Sequence, residues 1–238
     1  MRPAGGKDRG RKAVGLPLPW LSASGGFTRH LAQEDRDRLL ALGTVRSVRK
    51  GEMLFRAGAP GKDVYLLESG RVKLSQIAPA GREMILWFCF PGELFGLAAV
   101  PGTGPRMVFA QAVTEVRVRR IARAQFLSFL LGNPRVSLEL INLVLARLYL
   151  LCDSLLNVTT ESAEFRIRSL LRRLCLQYGK VVGNEVFLDV PLTQQDLADM
   201  IGASRQTVSS LLARMKERGA IRMTGRKMYV QDDVLDLP

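Results

Sequence analysis

The chain has 238 residues, 47% of them hydrophobic and 24% charged, enough apolar material to fill one large core or two modest ones. Its formal charge of +13 points to a polyanionic partner, because Lys and Arg gain affinity by releasing phosphate counterions. Three widely spaced cysteines (Cys89, Cys152, Cys175) with no C-x-x-C spacing, and the single histidine His30, argue against a one-chain zinc site, a disulfide framework, an iron–sulfur cluster and a metal-dependent enzyme.

Residues 1–26, "MRPAGGKDRGRKAVGLPLPWLSASGG", are rich in Gly, Pro and basic residues and lack the apolar core of a signal peptide, so a flexible basic tail is expected. Nowhere do ~18 apolar residues run together. The nearest stretch, "LELINLVLARLYLLCDSLL", carries Glu139, Asn142, Arg147 and Asp153, and the expectation is a cytoplasmic protein with no membrane partner.

From about residue 45 to 120 the texture is β-like. Six aliphatic or alternating runs, "EMLFRAG", "DVYLLESG", "RVKLSQI", "REMILWFCFPG", "MVFAQAV" and "EVRVRRIA", are punctuated by Gly58, Gly70, Gly81, Gly92 and Gly102, which predicts a small antiparallel roll or sandwich over 27–134. "ARAQFLSFL" then reads as a short helix, and Pro134 breaks the chain before a longer helix over 135–160. In that helix Ile141, Val144, Leu148, Leu151, Leu155 and Val158 alternate at steps of three and four, the heptad seam of a parallel dimer helix. Leu143, Leu145, Leu150 and Leu156 form a second apolar face for the roll to cover. A helix serving only its own chain's core has the same signature over so short a seam.

Residues 161–238 open with a helical "EFRIRSLLRRLCLQYG" and a strand-like "EVFLDVPL". The segment "PLTQQDLADMIGASRQTVSSLLARMKERGAIRMTGRKMYVQD" then reads as helix, turn, helix and hairpin in about 40 residues, too small for an enzyme core. Thr193 is suited to cap the first helix, Gly202 to take the positive φ of the exit, and Ser204 to cap the second. With Val208, Leu211, Leu212 and Met215 inward, Arg205, Gln206, Ser209 and Ser210 fall outward. Arg pairs with guanine and Gln with adenine in the major groove, Ser204 and Thr207 suit phosphate oxygens, and Arg226 and Lys227 sit at a wing tip near the backbone. Yet the excess charge is only about +2 in 161–238, against about +4 in 1–26 and about +7 in 27–160, so net charge does not locate the DNA surface.

The order of roll, seam helix, helix-turn-helix and wing resembles the CRP/FNR family of bacterial transcription regulators over about residues 27–235. The carriers are "KGEMLFRAGAPGKDVYLLESGRVKL", "GREMILWFCFPGELFG" and "LTQQDLADMIGASRQTVSSLL". The resemblance implies an α+β chain: an N-terminal antiparallel β-roll (a cyclic-nucleotide-binding-like jelly roll), a long dimerisation helix and a C-terminal winged helix-turn-helix. It further implies a non-enzymatic homodimer that binds a palindromic operator in double-stranded DNA, works with RNA polymerase and is controlled by an effector in the roll.

Matched residue by residue, Arg205 corresponds to the family's guanine-reading arginine. Gln206 stands where glutamate is common, and Ser210 where many members have a second arginine. Cyclic-AMP binders carry "G-E-L" followed by "R-S-A", and the matched positions here are Gly96, Leu97, Arg106 and Met107. Leu97 cannot accept from a ribose, Met107 cannot donate to a phosphate, and Leu151 and Cys152 replace the adenine-contacting hydroxyls. The "G-E-L" at Gly92–Leu94 lies about four residues too early. Cyclic AMP is therefore not expected as effector, and Arg106 would suit an anion such as an organic acid or another nucleotide. No N-terminal cysteine cluster exists for an iron–sulfur sensor, and His30 and Pro3 are poor grounds for heme. A small-molecule or redox sensor module working through a cyclic nucleotide or other anion, heme or the thiols of Cys89 or Cys152, with DNA reading secondary, is the alternative.

Overall fold

The computed structural model describes residues 26–231, apart from 80, 103, 189–191 and 226. The expected basic tail up to residue 25, and Arg226 of the wing, therefore lie outside the described residues. A short 3-10 turn (Phe27–Arg29) and helix α1 (Gln33–Ala41) lead into eight strands: β1 (Thr44–Val48), β2 (Met53–Phe55), β3 (Asp63–Ser69), β4 (Val72–Ile77), β5 (Glu83–Cys89), β6 (Leu94–Phe95), β7 (Phe109–Ala112) and β8 (Val116–Ala122). They form two antiparallel four-stranded sheets, ordered β1-β8-β3-β6 and β2-β7-β4-β5. β1 and β6 join the six strands expected. β1, "TVRSV", is exposed at four of its five residues, and β6 is only two residues long, so neither carries an aliphatic run.

The two sheets close on each other over Val48, Phe55, Leu67, Leu74, Phe95, Ala110 and Val118, the inward alternation of both. The other face of the first sheet, through Val64, Leu66, Leu94 and Ile121, is covered by Phe27, Leu39 and helix α2 (Arg123–Gly132) with its Phe126 and Phe129. The same cluster takes Val136, Leu140 and Leu143 from helix α3 (Pro134–Thr160), so the long helix is anchored to the roll by its first turns. Pro134 is itself the first residue of α3, where its missing N–H costs nothing.

After α3 come helix α4 (Ala163–Tyr178), strands β9 (Gly179–Val182) and β10 (Glu185–Leu188), helices α5 (Gln194–Ile201) and α6 (Arg205–Glu217), and the hairpin β11 (Ile221–Thr224) and β12 (Lys227–Gln231). The sheet order is β11-β12-β10-β9. One core serves all of it: Ile167, Leu171, Leu188, Leu197, Ile201, Val208, Leu212 and Val230 are buried together.

α3 splits into two faces. Leu140, Leu143 and Ala146 are buried, whereas Leu138, Ile141, Val144, Leu145, Leu148, Tyr149, Leu155 and Leu156 are exposed. The expected second face is thus corrected: Leu143 meets the roll and Leu150 is half-buried, but Leu145 and Leu156 point away from it. Of the expected seam, Ile141, Val144, Leu148, Leu151 and Leu155 lie on the exposed side, and the side chain of Val158 lies outside the described residues.

Candidate nucleic-acid interface and effector pocket

α5 begins at Thr193, whose Oγ1 accepts from the Asp196 amide at 3.0 Å while the Thr193 amide donates to the Asp196 carboxylate at 2.9 Å, a reciprocal capping box. The Thr193 hydroxyl also bonds the same carboxylate at 2.8 Å, so it is occupied by the cap and sits beside a negative charge. Thr193, expected as a DNA contact, therefore also serves as the helix cap.

Gly202 ends the helix at φ 66°, ψ 35°, a left-handed exit that a Cβ would strain. Ser204 then caps α6, its Oγ accepting from the Thr207 amide at 3.0 Å and lying 2.8 Å from Thr207 Oγ1. Val208, Leu211, Leu212 and Met215 are buried, and Arg205, Gln206, Thr207, Ser209 and Ser210 are exposed. The spacing of three and four puts Gln206, Ser209, Ser210, Ala213 and Glu217 in one outward stripe, with Arg205 on its flank. Ala213 and Glu217 are exposed too and were not singled out from the sequence, because neither is a base-reading or phosphate-binding residue.

The basic residues around this stripe are partly neutralised. Arg214 and Arg218, at the end of α6, pair with Glu164 at 2.9 and 3.5 Å. Arg222 donates twice to Glu185, and its guanidinium lies 3.8 Å from the Tyr229 ring centre. Arg205 has no ion-pair partner among the described residues, and Lys227 is exposed at the wing turn.

In the roll, Arg106 is 3% exposed. Its Nη1 donates to the Gly96 carbonyl at 2.7 Å, its Nη2 to the Asp63 carbonyl, and its guanidinium lies 4.3 Å from the Phe55 ring centre. Gly96 is left-handed (φ 75°), which favours glycine, and a Cβ there would sit 2.8 Å from Arg106 Nη1 and push the guanidinium aside. The arginine expected to reach for an anion is thus held by its own backbone. Leu97 is half-buried against the roll's helical side, and Met107 is 65% exposed. Of the residues expected to form a pocket, Gly96 touches Arg106, whereas Met107, Leu151 and Cys152 are exposed.

Among the described residues no group of three or more His, Cys, Asp or Glu could hold a metal ion, and no helix is long and apolar enough to cross a membrane. Burial pushes the thiols of Cys89 and Cys175 up to about 12, which leaves them protonated and unreactive at neutral pH. A thiol sensor would therefore have to use Cys152, the exposed one.

Residues 45–133 match the family model for a cyclic nucleotide-binding domain, and residues 165–234 that for a Crp-like helix-turn-helix domain. A CRP-like cAMP-activated global transcriptional regulator of Mycobacterium tuberculosis is 32% identical over 183 residues, 77% of this chain and 82% of that one. The chain belongs to the CRP/FNR family of transcription regulators. The nitrogen fixation regulation protein FixK of Azorhizobium caulinodans is 28% identical over 227 residues, 93% of this chain and 90% of that one. Among solved structures, FixK2 from Bradyrhizobium japonicum superposes with a TM-score of 0.70 at 24% identity, covering 80% of this chain and 93% of that one, which speaks for the fold. The family membership makes the molecule an effector-controlled transcription regulator rather than an enzyme. Regulators of this family bind DNA through the helix-turn-helix and function as dimers.

Proposed function

We propose that two copies of this chain, joined along α3, read a palindromic operator with half-sites ~34 Å apart, and do so under control of an effector other than cyclic AMP. The observation that carries the effector reading is Arg106, buried and bonded to the Gly96 and Asp63 carbonyls, with Leu97 and Met107 where an acceptor and a donor would be needed. Two of the guanidinium's five N–H donors are given to these carbonyls, and a cyclic phosphate would meet the others without a neighbouring hydroxyl to help. The M. tuberculosis relative is a cAMP-activated regulator, and on this reading the two proteins answer to different effectors.

On the DNA side, Arg205 and Gln206 read bases, Ser209 and Ser210 lie against the same groove wall, and Ser204, Thr207, Arg226 and Lys227 face the phosphates. Such a regulator acts in the cytoplasm, where it recruits or blocks RNA polymerase. Fluorescence anisotropy with operator DNA tests both parts. Operator affinity is expected not to change with cyclic AMP, and Arg205→Ala is expected to cost about 1–3 kcal/mol on the operator but little on random DNA. A cyclic-AMP-dependent rise in affinity would overturn the effector reading, and equal losses on both DNAs would overturn the base-reading role of Arg205.

A further inference from the structure

One buried polar knot lies where the roll, the dimer helix and the DNA-binding domain meet, and DNA reading leaves it unused. Glu93, in the turn between β5 and β6, is 4% exposed. Its Oε1 accepts from the Tyr178 hydroxyl at 3.2 Å, and its Oε2 lies 3.9 Å from Arg147 Nη2. Arg147 comes from α3, donates that nitrogen to the Leu94 carbonyl at 2.6 Å and stands 5.3 Å from the Trp87 ring centre. Tyr178 is the last residue of α4, and its ring meets that of Phe90 with centres 3.8 Å apart. Phe90 in turn packs against the core of the DNA-binding domain.

Three units are thus joined through one carboxylate. The joint is not tightly filled: a cleft of about 50 Å³ opens beside it between Trp87, Phe90, Leu150, Arg173, Tyr178 and Met200. The charged and titratable groups acting on Glu93 are Arg147 on α3, Tyr178 on α4 and Cys89 on β5, whose thiol stays protonated. Only Arg147 brings a charge at neutral pH, and at 3.9 Å with its Nη2 already given to a carbonyl it compensates the carboxylate incompletely.

We propose that Glu93 is a proton-operated latch between the roll and the DNA-binding domain, closed on Tyr178 and Phe90 when the carboxyl is protonated and released when it ionises. Burial pushes the carboxyl up to about 7, against an ordinary 4.5 that returns once water reaches it. The closed state therefore holds an extra proton between those two values. Closing is favoured at low pH, weakens as pH rises through that window, and levels off above it. From pH 6 to pH 8 the closing equilibrium falls about tenfold.

The chain has two tryptophans, so Trp20→Phe leaves Trp87, beside the cleft, as sole reporter in the full-length protein. Acrylamide quenching of Trp87 and the radius of gyration from small-angle X-ray scattering are followed from pH 5.5 to 8.5. Both are expected to rise together with pH. Glu93→Gln, which keeps the shape and cannot ionise, is expected to show neither rise. Tyr178→Phe keeps the ring but removes a donor that favours the ionised carboxyl, so the rise is expected to extend to higher pH. A flat wild-type profile, an undiminished response in Glu93→Gln, an unmoved one in Tyr178→Phe, or quenching that changes without the radius would overturn the latch.

Discussion

At the level of single residues, Gly96 and Arg106 are interdependent. A left-handed backbone and an arginine nitrogen 2.8 Å from any added Cβ both demand glycine. Gly96→Ala is expected to cost the roll about 2–4 kcal/mol, the sum of backbone strain and a displaced guanidinium that loses a buried hydrogen bond. Gly58 is the control: it has a similar φ, 83°, but open space around a Cβ, so Gly58→Ala is expected to cost only the strain, about 1–2 kcal/mol. Urea unfolding followed by Trp87 fluorescence in the Trp20→Phe background measures both, and equal losses would show that the arginine contact adds nothing. From the sequence, Arg106 was recognisable as the matched arginine, but not that two carbonyls hold it. Those carbonyls belong to Asp63 and Gly96, 43 and 10 residues from Arg106, and a backbone acceptor leaves no mark on residue type. The caps were legible for the opposite reason: Thr193 with Asp196, and Ser204 with Thr207, act within one turn of chain.

At the level of the element, α3 shows what periodicity can and cannot specify. The helix and its seam were readable because 3.5-residue spacing is local. Which members of the second stripe the roll takes was not, because only the roll's own shape selects Val136, Leu140 and Leu143 and leaves Leu145 and Leu156 exposed. The most exposed stripe runs through Leu138, Ile141, Leu145, Leu148 and Leu155, sharing Ile141, Leu148 and Leu155 with the expected seam and lying beside Val144 and Leu151. So long an apolar stripe on a single chain requires a cover. Leu148→Glu is expected to convert the dimer to a folded monomer in sedimentation velocity, whereas Leu143→Glu is expected to unfold the roll. A Leu148→Glu protein that still sediments as a dimer would show that α3 is not the seam. The roll's weak strands, β1 and β6, were missed because four exposed residues in a row or a two-residue strand carry no alternation to detect.

At the level of the whole molecule, the charge is in the wrong place for a DNA-binding protein that relies on electrostatics. Of the +13, only about +2 belongs to residues 161–238, and there Arg214 and Arg218 are tied to Glu164 and Arg222 to Glu185. The outward stripe of α6 ends in Glu217 and has small residues at Ser209, Ser210 and Ala213, so few cations reach the backbone. If about three per protomer meet phosphates, a dimer neutralises about six, and the logarithm of operator affinity is expected to fall with log salt at a slope near −5. A slope of −8 or steeper would mean that the basic roll or the basic tail also lies on the DNA. Specificity depends on the same balance: with a weak electrostatic share, random DNA binds poorly, and discrimination rests on Arg205, Gln206 and the simultaneous docking of two helices. A protein of this kind is governed by geometry between its two readers, which is the quantity that a hinge at Glu93 and Tyr178 is placed to set.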